Sequence, residues 1–143
     1  MCSSDLTAGH FGGDAWLRLH EQHVETVRAN RGPIDVLLVG DSLTIQWGPS
    51  WPRHFPGLKS VNIGIGGDKT QNVLWRLEHG GVDGLEPRVV LVLIGNNNMF
   101  QAPETGIDAV AAGVKAVVDL LRARFPTADV ICVNILQIGR AHV

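Results

Sequence analysis

The chain has 143 residues, 45% hydrophobic and 18% charged, with a formal net charge of -2. This is enough for one domain with a real core and too little for two. A near-neutral balance without a Lys/Arg cluster argues against a nucleic-acid or anionic-membrane surface, and no run approaches the roughly 20 apolar residues of a membrane span.

The two ends are expected to be foreign. Residues 138–143, Ile-Gly-Arg-Ala-His-Val, can be written as codons of a sequencing adapter. The reverse complement of that oligonucleotide encodes Met (as a GTG start), Cys, Ser, Ser, Asp and the start of a Leu codon, which matches residues 1–6. Such translated adapter scars stand outside fold reasoning, and one domain of native sequence is expected from Thr7 to Leu136. Localisation therefore stays open. With Cys2 set aside, Cys132 lies alone in an apolar run and reads as a small buried hydrophobe, without a disulfide.

In chain order, Asp14 to Asn30 carries Trp16, Leu19, His20, His23, Val24 and Val27 at helical period, so an amphipathic helix is expected. His20 and His23 are expected to pack or face solvent, since no further ligands accompany them. Ile34 to Val39 is short, rich in β-branched residues and bounded by Pro33 and Gly40, as a strand buried on both faces would be. Ligands of open α/β sheets bind beyond the carboxyl ends of strands, which makes Ser42 of Gly40-Asp41-Ser42-Leu43 a candidate nucleophile. The same residues also read as a turn followed by a helix cap.

A helical turn to Trp47 should follow, then a loop over Gly48 to Pro52; Trp47, Trp51 and Phe55 would pack or line a pocket. Leu58 to Ile63 reads as a second strand, ending in Gly64-Ile65-Gly66-Gly67-Asp68-Lys69-Thr70 before a helix with Val73, Leu74 and Leu77. Asp68 breaks the Walker pattern and Lys69 takes the third glycine of the dinucleotide fingerprint. These glycines instead allow backbone N–H groups to point into a site, as an oxyanion hole needs. After Gly80 to Gly84, Val89 to Ile94 is a strand ending in Gly95-Asn96-Asn97-Asn98, where a side-chain amide could donate to developing negative charge. Pro103-Glu104-Thr105 opens a helix that runs to Phe125-Pro126, and Ala128 to Leu136 is the fourth strand. The order βαβαβαβ predicts a parallel sheet.

Strands ending in Gly-Asp-Ser-Leu, Gly-Ile-Gly-Gly-Asp and Gly-Asn-Asn-Asn resemble the SGNH hydrolases, or GDSL esterase/lipase family. Asn62 to Asp68, Val73 to Leu77 and Trp16 with His20 resemble its branch of platelet-activating-factor acetylhydrolase catalytic subunits. The resemblance spans residues 14 to 136. It implies a three-layer flavodoxin-like α/β fold, here lacking its final strand and helix. It also implies a serine esterase that removes a short acyl group, acetyl before others, from a small carbohydrate, lipid or xenobiotic ester. Ser42 would be the nucleophile, with Gly67 and Ser42 as backbone oxyanion donors and Asn97 as a side-chain donor. Asp41 and Asp68 would order the loops, and neither cofactor nor metal is implied.

The departures are Asn96 for the usual threonine and the absence of the late Asp-x-x-His motif. His20, His23, His54 and His79 stand in other contexts, and His142 falls in the adapter stretch. The fragment itself is therefore expected to be inactive. Gly-x-Ser-x-Gly is also absent, because Thr44 holds its last position. Other readings are a thioesterase or lysophospholipase of the same superfamily, a noncatalytic binding or scaffold domain, and a nucleotide-binding module that both failed phosphate patterns disfavour. An uncovered sheet edge or helix face would promote self-association into a homo-oligomer.

Overall fold

The structure, a computed structural model, describes residues 13–134. Helix α1 (Gly13–Ala29) leads into strand β1 (Gly32–Gly40), followed by short helices α2 (Ser42–Trp47) and α3 (Trp51–His54) and strand β2 (Ser60–Asn62). Then come α4 (Thr70–Glu78), β3 (Leu85–Leu93), α5 (Asn96–Gln101), a 3-10 turn (Pro103–Thr105), α6 (Ile107–Arg124) and β4 (Asp129–Cys132). All pairings are parallel, in the order β2-β1-β3-β4. From β1 the chain steps first to one side and then to the other, so the crevice between the carboxyl ends of β1 and β3 is the topological switch point.

Alternation along the strands builds two unequal cores. Leu37 and Val39 of β1, Val61 of β2 and Val90 and Val92 of β3 meet Val27 of α1, Val73 and Leu77 of α4 and Val117 and Leu121 of α6. The opposite face carries a smaller cluster of Val36 and Leu38 with Trp51, against which Trp47 and Leu91 pack. Trp51 stacks on Phe55 at 4.3 Å between ring centroids, and the same rings border a cavity of about 390 Å³. These aromatics therefore do both things foreseen for them.

Several boundaries differ from the sequence expectations for physical reasons. Trp51–His54 is a helical turn rather than loop, because Pro52 falls in its first turn, where a missing N–H costs nothing. β3 begins at Leu85, four residues before Val89, and contains Pro87. Pro87 is tolerated because β4 pairs only from Val89 onward, so among the described residues its other side faces no strand. The second strand is regular only at Ser60–Asn62, yet the chain stays beside β1: Ile63 N–H donates to Leu38 O (2.9 Å) and Ile65 N–H to Gly40 O (3.2 Å). Pro103 opens only a 3-10 turn, and Gly106 separates it from α6.

Cys132 corrects an expectation: it is exposed, not buried. It sits on the outermost strand, beside which no further strand pairs among the described residues. The expected adapter stretches 1–6 and 138–143, with Cys2 and His142, lie outside the described residues, as do the last two positions of the expected fourth strand.

Candidate active site

Each strand delivers one part of the site. Gly40 ends β1 where a Cβ would come 2.1 Å from Thr44 Oγ1 and 2.2 Å from Leu93 O, so only glycine lets β1 and β3 run this close at their exit. Asp41 then caps α2: its backbone is extended and its Oδ1 accepts the Leu43 N–H at 2.9 Å. Ser42 follows as the first residue of α2 and is exposed at the carboxyl edge of the sheet.

The segment after β2 is laid against Ser42. Asn62 is the bracket, its Nδ2 donating to Thr44 O (2.8 Å) and its Oδ1 accepting from Gly64 N–H (2.9 Å). A Cβ on Gly66 would sit 3.8 Å from Ser42 Cβ, ordinary van der Waals contact. Residues Ile65 to Asp68 form a turn closed by Asp68 N–H to Ile65 O at 3.2 Å. Gly67 occupies its third position with φ +81, the left-handed conformation a type II turn needs there and glycine supplies.

From β3, Asn97 in the first turn of α5 reaches across the switch point. Its Nδ2 donates to Asp68 O at 2.9 Å and makes a longer 3.4 Å contact to Asp41 Oδ2. The neighbouring Asn98 ties α5 to α4, accepting from Thr70 N–H (3.0 Å) and donating to Thr70 Oγ1 (3.2 Å) and Gln71 Oε1 (3.0 Å). Ser42, Gly67, Asn97, Asp41 and Asp68, drawn from three strand ends, thus form one cluster.

Beneath them lies a buried ion pair. Asp68 is 0% exposed and Arg76 1%. Arg76 Nε donates to Asp68 Oδ2 at 2.9 Å, and Nη2 lies 2.7 Å from the same oxygen without hydrogen-bond alignment. Arg76 Nη1 donates to Ile63 O (2.7 Å), and Trp16 Nε1 donates to Asp68 Oδ1 (2.7 Å). Burial lowers the Arg76 pKa, and the Asp68 charge opposes that shift. Burial raises the Asp41 pKa; the Leu43 N–H works against this and the nearby Asp68 charge adds to it. Sequence reasoning had not singled out Arg76. A signal existed: it stands three residues after Val73 on the apolar stripe of α4, where a charge needs a buried partner.

The histidines stand elsewhere. His20 is buried, stacks with Trp16 and meets Trp75 edge-on, and its Nε2 lies 3.0 Å from His79 O. His79 stacks on Trp75 at 3.9 Å. Burial lowers the pKa of both α1 histidines, that of His23 to about 4. His54 is exposed on α3. Among the described residues no imidazole is hydrogen-bonded to Ser42, and no group of three or more His, Cys, Asp or Glu could hold a metal ion.

A serine turn after β1, a glycine turn after β2 and an asparagine after β3 meet at one switch point of the parallel α/β sheet. The chain belongs to the GDSL-like lipase/acylhydrolase family, whose model matches residues 38–142.

Among particular relatives, it is 38% identical over 130 residues to platelet-activating factor acetylhydrolase IB subunit alpha2 of Homo sapiens, covering 90% of this chain and 54% of that protein. To subunit alpha1 of Bos taurus it is 37% identical over 131 residues, with the same 90% and 54% coverage. The chain thus spans about half the length of the curated relatives it matches. The fold is similar to a solved GDSL-like lipase from Bacteroides thetaiotaomicron, with TM-score 0.61 and 20% identity over 79% of this chain and 56% of that one.

Proposed function

We propose that these residues are the nucleophile-and-oxyanion half of a serine ester hydrolase acting on a short-chain, preferentially acetyl, ester. The observation that carries the reading is the convergence of Ser42, the Gly66-Gly67 turn and Asn97 at the β1/β3 switch point. Ser42 Oγ attacks the ester carbonyl and its proton passes to a base. The resulting oxyanion is held by the backbone N–H groups of Gly67 and Ser42 and by Asn97 Nδ2. Of the two Asn97 contacts, the one to Asp68 O is short and the one to Asp41 is long. The oxyanion takes over the long one. Collapse expels the alcohol and leaves acyl-Ser42, which water then hydrolyses through the same hole.

Serine needs an imidazole to accept its proton, and the resemblance assigns that group to an Asp-x-x-His motif these residues lack. The 143-residue chain alone should therefore turn over esters poorly, while a longer product of its gene carrying the motif should be active. The test is to sequence the coding region past the Leu136 codon, express what it encodes and assay p-nitrophenyl esters of increasing acyl length. Continuation into Asp-x-x-His with fastest hydrolysis of the acetyl ester supports the reading. Preference for long acyl chains or thioesters supports the thioesterase or lysophospholipase alternative instead. A stop without such a motif, and no hydrolysis, favours a noncatalytic binding domain.

A further inference from the structure

We propose that Trp16 and Arg76 are positioning residues for the oxyanion hole, acting through Asp68 to hold Gly67 and Asn97; this rests on the hydrolytic reading above. Asp68 touches both halves of the hole. Its amide closes the turn that contains Gly67, and its carbonyl accepts the Asn97 side-chain amide. Where the Asp68 side chain sits therefore decides how the peptide on each side is turned.

That side chain is gripped from two helices. Trp16 on α1 holds Oδ1 and Arg76 on α4 holds Oδ2, each with the whole side chain out of water. Arg76 also bonds Ile63 O, at the start of the segment that carries the glycines. Both ends of that segment are thus tied to one guanidinium. In a medium of low polarity a carboxylate fixed by two donors has little freedom to swing, and a peptide dipole aimed beforehand costs no reorganisation when charge develops. Neither helix touches substrate in this scheme. They set the aim of donors that do.

The readout should not depend on turnover. The 143-residue chain, labelled with 15N at asparagine and kept dilute, gives a side-chain amide signal for Asn97 that Asn97→Ala identifies. Trp16→Phe keeps an apolar ring and deletes the donor; Arg76→Lys keeps the charge and deletes the fork. Val27→Ala is the control, since it opens the main core from α1 without touching Asp68. We expect Trp16→Phe and Arg76→Lys to shift the Asn97 amide and speed its solvent exchange roughly fivefold, about one ordinary hydrogen bond. Val27→Ala should leave it in place.

An Asn97 signal unchanged in both variants, or moved as much by Val27→Ala, overturns the proposal. If Arg76→Lys does not fold, Trp16→Phe alone decides. A failure here leaves ester hydrolysis by a longer gene product untouched, and absence of hydrolysis leaves this result standing.

Discussion

Asn97 braces the glycine turn through Asp68 O and makes a longer contact to Asp41, the residue before Ser42. In a gene product that carries the Asp-x-x-His motif, Asn97→Ala should lower kcat about 10²- to 10³-fold with a smaller effect on KM, the loss of one oxyanion donor. Steady-state kinetics on an acetyl ester checks this, and a change confined to KM would contradict the assignment. His23 supports a pH prediction. Burial, with the Arg76 and His20 charges adding to it, pulls its pKa from 6.5 to about 4. Between those values the unfolded chain binds more protons than the folded one, so stability falls as pH drops from 6.5 to about 4. The raised pKa of Asp41 acts with the opposite sign. The comparison with His23→Gln therefore isolates the histidine: its urea midpoint should fall less across that window, and equal slopes would refute the claim. That Ser42, Gly67 and Asn97 lie beyond the carboxyl ends of strands was legible because each follows an apolar run broken by glycine. The Trp16–Asp68 bond was not, since a contact across 52 residues leaves no local trace.

Among the elements, α6 meets the amino end of α4 at Gly113. A Cβ there would lie 2.4 Å from Thr70 Oγ1 and 2.9 Å from Thr70 Cβ, atoms held in place by Asn98. Alanine in a helix interior would by itself gain about 1 kcal/mol over glycine, but overpacking costs roughly 1–3 kcal/mol. Gly113→Ala should thus destabilise the chain by about 1 kcal/mol in urea titration, and a stabilised variant would show that the two helices yield. Strand and helix identities followed from period and punctuation. Their ends did not, because they depend on neighbours: Pro87 can sit in β3 only where β4 has not yet begun to pair. Pro52 likewise starts a helical turn instead of forbidding one.

At the scale of the molecule, the predicted parallel α/β sheet is present, and strand order is what brings the three motifs together. Among the described residues β4 is an edge strand, with Ile131 48% exposed and Cys132 beside it. The burial of Cys132 was misread because composition says nothing of which strand lies outermost. An exposed apolar strand edge invites pairing, so the chain should self-associate with rising concentration in analytical ultracentrifugation, and Ile131→Lys should reduce this. A single monomer species at all concentrations would contradict the expectation. The central claim, that Ser42 carries the acyl group, is tested most directly by acid-quenching a gene product that carries the Asp-x-x-His motif during turnover of an acetyl ester and mapping the adduct by mass spectrometry. The account predicts acetyl on the peptide containing Ser42 and none in Ser42→Ala, whose hydrolysis should fall on the order of 10⁴-fold or more. Acetyl on another residue, or hydrolysis that survives Ser42→Ala, would contradict it.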